Sequence, residues 1–67
     1  MKVTINGTAH DITEDAIEYE ALVELAGMSG TPSCTWKWGG TRGILSPGDG
    51  VFVNDGMVVN IVHTGNA

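Results

Sequence analysis

The sequence predicts an α+β domain in which one helix lies across one face of a mixed sheet of four to five strands. Three observations lead there. The stretch from Gly50 to His63 holds two β-branched runs joined at Asn54-Asp55-Gly56, and its second run, about Met57 to His63, is apolar everywhere except Asn60 and His63. A strand apolar on both faces belongs in the middle of a sheet. Asp15 to Gly27 changes to a helical period. The elements follow the order strand, strand, helix, strand, strand, strand, so the last strand crosses over through the helix and pairs in parallel with the first.

Taken in order, Lys2 to Ile5 alternates, with Val3 and Ile5 on one face and Lys2 and Thr4 on the other, as in a half-buried strand. Asn6-Gly7 is the preferred pair for a type I′ hairpin turn. Thr8 to Thr13 is then the return strand. Its one clear apolar residue, Ile12, marks it as an edge.

From Asp15 to Gly27, Ile17, Ala21, Leu22, Leu25 and Ala26 recur at helical spacing, with Glu18, Glu20 and Glu24 on the wet side. The early acids suit the positive end of the helix dipole, and Gly27 is a natural stop. Burying Leu22 and Leu25 would contribute roughly 1.5–3 kcal/mol each. Met28 to Ser33 reads as a connector. Cys34 to Trp38 is a third strand with Cys34, Trp36 and Trp38 on one face; a core this small cannot easily hold both tryptophans, so one caps it and the other reaches the surface, with core packing preferred to an interface role for both. Gly39 to Gly43 reads as a flexible loop, Ile44-Leu45 as a short apolar plug, and Ser46 to Gly50 as a tight turn before a final hairpin at Asn54-Asp55-Gly56. One domain therefore runs over residues 1–63, with a tail at 64–67.

At 67 residues the chain is one small domain, and such a domain buries only about 60% of its unfolded surface. Eight acids against three bases give a net charge of −5. Lys2, Lys37 and Arg42 are too few to line a phosphate-binding surface, which argues against nucleic acid and anionic membranes and for a basic groove on a partner protein. The single cysteine, Cys34, excludes an internal disulfide and reads as a small buried hydrophobe. The N-terminus has no leader-like apolar region and no run is long enough for a bilayer, so the cytoplasm is the expected location.

The ordered set Val3-Thr4-Ile5-Asn6-Gly7, Ile17 to Gly27 and Val51 to Ile61 resembles the bacterial ubiquitin-like domains called multiubiquitin domains, which occur in conjugation-like operons. The resemblance covers nearly the whole chain as a single copy. It implies a ubiquitin-like β-grasp fold and a small protein modifier, handled by E1-like and E2-like enzymes and, in some operons, by a processing peptidase; the operon company implies antiviral defence. Ubiquitin and the sulfur carriers end in Gly-Gly, whereas this chain reads Thr64-Gly65-Asn66-Ala67. The resemblance therefore leaves three courses open: a peptidase exposes Gly65, the chain is activated at Ala67, or no conjugation occurs.

Gly65, Asn66 and Ala67 are thus the candidate activation tail. The outward sheet face is the candidate protein-interaction surface. Met57, Val59 and Ile61 should join Val3 and Ile5 on the helix side because Asn60 prefers water, which leaves Val58 and Val62 outside beside Thr4 and Asn60, with Phe52 added to them. No catalytic residue, cofactor or metal site is expected. His10, Cys34 and His63 lack zinc spacing. Gly39-Gly40-Thr41-Arg42-Gly43 lacks the full phosphate-loop pattern, and Ser29, Ser33 and Ser46 lack a His and carboxylate arrangement. A non-covalent binding or self-assembly module, working through this face or an open sheet edge, is the alternative to a modifier. A sulfur carrier is the third reading.

Overall fold

The computed structural model describes residues 1–63. Its elements are β1 (Lys2–Ile5), β2 (Thr8–Asp11), β3 (Ala16–Glu18), α1 (Tyr19–Leu25), β4 (Ser33–Trp38), β5 (Thr41–Leu45), β6 (Gly50–Phe52) and β7 (Met57–Val62). A mixed five-stranded sheet has the order β2-β1-β7-β4-β5, and β3 and β6 form a separate two-stranded ribbon. The described residues form an α+β fold with one helix.

β7 is the central strand, as its two apolar faces require. It pairs in parallel with β1, Thr4 opposite Val58, and antiparallel with β4, Thr35 opposite Asn60. Met57 and Val59 are fully buried and Ile61 is nearly so, alongside Val3, Ile5 and Cys34. Tyr19, Leu22 and Val23 of α1 complete this core with Ile12, Ile17, Leu45 and Val53. β2 is an edge strand, and the N-terminal ammonium reinforces it by donating to the Ile12 carbonyl at 2.7 Å.

Asn6 does more than turn the chain. At φ 49° it takes the left-handed conformation that the turn needs. Its Nδ2–H donates to the Ile61 carbonyl (2.9 Å), and the Ile61 N–H donates to its Oδ1 (2.7 Å). The asparagine side chain thus acts as one more rung of the parallel β1–β7 pairing, fastened near the end of the central strand.

Five sequence expectations need correction, the last two, Phe52 and Trp38, at the site. The first concerns the hairpin at Asn54-Asp55-Gly56. β6 does not pair with β7; it pairs with β3, Ile17 opposite Val51. Both sides of β7 are already occupied by β1 and β4, so no ladder position remains for β6. The turn also has the wrong hand. Met57 N–H donates to the Asn54 carbonyl (3.0 Å), with positive φ at Gly56 but not at Asp55. That is a type II pattern, which splays its flanking segments where a type I′ turn would align them.

The second correction is the start of the helix. Residues 16–18 are a strand, because Asp49 to Val53 supplies their hydrogen-bond partners: Val53 N–H donates to the Asp15 carbonyl (2.8 Å) and Tyr19 N–H to the Asp49 carbonyl (2.9 Å). The later start also changes the buried stripe. Tyr19, Leu22 and Val23 fall on one side, whereas at about 100° per residue Ala21 and Leu25 lie roughly 200° and 240° around from Tyr19. Leu25 is accordingly 42% exposed and Ala21 is exposed. A seven-residue helix is too short to persist alone, so its stability comes from this packing. Its C-terminus stops at Gly27 as expected, with Gly27 N–H donating to the Glu24 carbonyl (2.9 Å) and Met28 N–H to that of Val23 (3.1 Å), the two bonds of a Schellman cap.

Third, the Gly39 to Gly43 segment is no loop. Trp38 pairs with Thr41 around Gly39-Gly40, and β5 continues antiparallel along β4. Gly39 has φ +61° as the first central residue, the requirement of a type II′ hairpin. Gly43 then admits the Trp36 indole, since a Cβ there would lie 2.9 Å from three indole atoms. Ile44-Leu45 is accordingly not a plug: Leu45 faces the core, while Ile44 is 79% exposed on the other face. The fourth correction, the position of Phe52, belongs to the site.

Candidate functional site

Alternation on the central strand creates the outward face. With Met57, Val59 and Ile61 turned inward, Val58, Asn60 and Val62 turn outward; Val58 is half-buried and Val62 53% exposed. Thr4, half-buried, sits directly across from Val58. The structure therefore brings together Thr4, Val58, Asn60 and Val62 on one open surface.

Phe52 does not join them. It lies on β6, whose partner is β3, and β6 belongs to the separate ribbon. Its ring is 78% exposed and lines a different cleft with Trp36 and Trp38. The expectation that it flanks Val58 depended on the β6–β7 hairpin and falls with it. Gly65, Asn66 and Ala67 lie outside the described residues.

The outward face extends further than the sequence indicated. Asn60 neighbours Thr35, which neighbours Ile44, and Val58 neighbours Lys37, which neighbours Arg42. Thr35, Lys37, Arg42, Ile44 and Asn60 line a shallow depression of about 640 Å³. The missed signal was a Gly-Gly pair between two β-like runs, a recognised hairpin mark; the glycine at position 43 hid it by interrupting the second run. Two of the three basic residues thus stand opposite one another in an acidic chain. Like charges so placed repel. The one ion pair among the described residues joins the N-terminal ammonium to Asp11 at 3.3 Å, so neither cation is neutralised by a neighbouring acid. An apolar patch of Val58, Val62 and Ile44 beside two cations that have no acidic partner among the described residues can hold a complementary protein surface carrying an acid.

The interior offers little chemistry. Cys34 is buried, and burial pushes its thiol above the ordinary value of 9.0, which keeps it protonated and a poor nucleophile. Burial likewise raises the Tyr19 phenol, with charge at Cys34 and Glu20 adding to the effect. The Tyr19 O–H donates to the Pro32 carbonyl at 2.7 Å and ties α1 to the connector before β4. Trp36 is partly buried against the core and Trp38 is 44% exposed, so one tryptophan caps the core and the other reaches the surface, whereas core packing of both does not hold. Among the described residues no group of three His, Cys, Asp or Glu side chains is placed to hold a metal, and no helix is long and apolar enough to cross a membrane.

Comparisons with family models, with curated proteins and with solved structures give no match to this chain.

Proposed function

We propose that the chain is a ubiquitin-like β-grasp protein that serves as a protein modifier in a bacterial conjugation pathway. It is a substrate of E1-like and E2-like enzymes, acting in the cytoplasm. The observation that carries the reading is the order β2-β1-β7-β4-β5, in which the central strand runs parallel to the first and leads directly to residues 64–67. The sequence resemblance to multiubiquitin domains supports it independently. In this reading a terminal carboxylate, at Gly65 after peptidase trimming or at Ala67, attacks the α-phosphorus of ATP and releases pyrophosphate. An enzyme thiol then displaces AMP to give a thioester. The β-grasp presents the tail, and the surface of Thr4, Val58, Asn60 and Val62 is what the enzymes recognise.

Two variants test both parts. Removing residues 65–67 abolishes conjugates and leaves the denaturation midpoint unchanged. Val62→Asp puts a charge on an exposed position, so it preserves the fold and weakens enzyme docking at least tenfold. Undiminished conjugates from the truncated chain refute the tail chemistry, and undiminished docking by Val62→Asp refutes the face.

A second reading is favoured by the β5 edge. Its five residues have no further strand beyond them among the described residues, and Ile44 projects from the strand 79% exposed. A non-covalent binding or self-assembling module would use that edge to add a strand from another chain. Its mark is binding that survives removal of residues 65–67.

A further inference from the structure

The opposite side of the sheet holds a second surface that tail chemistry does not require. Trp36 and Trp38 alternate with Cys34 toward the core side of β4, and the β3–β6 ribbon brings Phe52 to them. Together with Ala16, Thr41 and Asn54 the three rings line an open cleft of about 410 Å³. Two of the walls are held in place. The Trp38 indole N–H donates to the Asp55 carbonyl at 3.0 Å, and the Trp36 indole lies over Gly43. Phe52, 78% exposed, gains almost no burial where it stands.

Charge says what such a cleft selects. No basic residue lines it. Lys37 and Arg42 alternate to the other face of the sheet, and Lys2 stands with Thr4 on that same outer face. Asp15, Asp49 and Asp55 adjoin lining residues in the sequence without lining the cleft themselves, and Asp55 Oδ1 accepts from the Lys2 backbone N–H at 2.7 Å. The molecule as a whole carries −5. Electron-rich ring faces attract cations, the more so in a chain of net charge −5 whose three basic side chains stand on the other face of the sheet, and a planar guanidinium stacks on indole better than an ammonium does. We infer that this cleft takes an arginine side chain from a basic segment of a partner protein. The cleft shares Trp36 with the outward depression but no other lining residue, and the inference does not depend on the modifier reading.

The test titrates the full chain with a short Gly/Ser peptide carrying arginines, and with the same peptide carrying citrulline, which keeps the shape and removes the charge. The indole N–H resonances of Trp36 and Trp38 report binding. The arginine peptide should shift both resonances saturably and bind about tenfold more tightly than the citrulline peptide. Phe52→Ala should weaken binding roughly threefold or more, while Phe52→Tyr retains it. Because Phe52 is so exposed, both variants should keep the denaturation midpoint of the parent. Equal binding of the citrulline peptide overturns the inference, as it means an apolar groove indifferent to charge. Shifts confined to Val58, Ile44 and their neighbours overturn it too. So do indole shifts that appear on concentrating the protein without peptide, which would make a second copy the occupant.

Discussion

Replacing Asn6 with glycine isolates the clamp on the central strand. Glycine accepts the φ of 49° freely, so the turn keeps its backbone and only the side-chain bonds are lost. Those bonds are Nδ2–H to the Ile61 carbonyl and Ile61 N–H to Oδ1, both partly buried, with a long, exposed Nδ2–H bond to Met28 Sδ at 3.8 Å that adds little. At about 1 kcal/mol net for each, and about 0.5–1 kcal/mol for the added freedom of glycine in the unfolded chain, Asn6→Gly should cost roughly 2–3 kcal/mol. A chain of this length has a total stability of roughly 3–10 kcal/mol, so the loss is a large share. With a urea slope near 1 kcal/mol/M, the midpoint followed by tryptophan fluorescence should fall by about 2–3 M. The Ile61 amide should also exchange faster than its neighbours on β7. Asn6→Asp adds a directional check. Its ionised carboxylate faces the Ile61 carbonyl and repels it, whereas its protonated form can donate, so this variant should recover stability as pH falls through the carboxyl range. A midpoint for Asn6→Gly within about 0.5 kcal/mol of the parent would refute the clamp.

Other predictions follow from the same structure. Leu22→Ala should cost about 2–5 kcal/mol and Leu25→Ala less than about 0.5 kcal/mol, since one is fully buried and the other 42% exposed; similar losses would restore the longer helix that the sequence suggested. Alkaline pH should destabilise the fold. Cys34 and Tyr19 both have raised folded-state values, so the unfolded chain loses their protons first, and stability declines as pH rises past their ordinary values of 9.0 and 10.0. Tyr19→Phe should shrink that decline while lowering stability at neutral pH by about 1 kcal/mol through loss of the Pro32 bond. A pH-independent denaturation midpoint up to alkaline pH would contradict the burial of both groups.

What could be read from the sequence was whatever depended on local pattern. Val3 and Ile5 alternating with Lys2 and Thr4 placed β1, and the two apolar faces of β7 placed it at the centre of the sheet. From these the outward set of Thr4, Val58, Asn60 and Val62 followed. What failed depended on distant partners. Ile17 fits a helical period as well as a strand, and only the Asp49 to Val53 segment lying beside it decides between them. Phe52 was misplaced for the same reason, because an Asp-Gly turn signals reversal but not which strands it joins. Ile44 was hidden by Gly43, a residue that looks like a loop until the Trp36 indole is seen above it. The aromatic cleft needs all three of those long-range arrangements, so no spacing in the chain announces it.

The most direct test of the modifier reading is the intact mass of the full chain after incubation with its cognate E1-like enzyme and ATP. The expected result is an ATP-dependent covalent adduct on the enzyme, cleaved by thiols, whose mass fixes the reacting carboxylate at Gly65 or Ala67. An unchanged mass beside an enzyme that demonstrably consumes ATP with another substrate would contradict it.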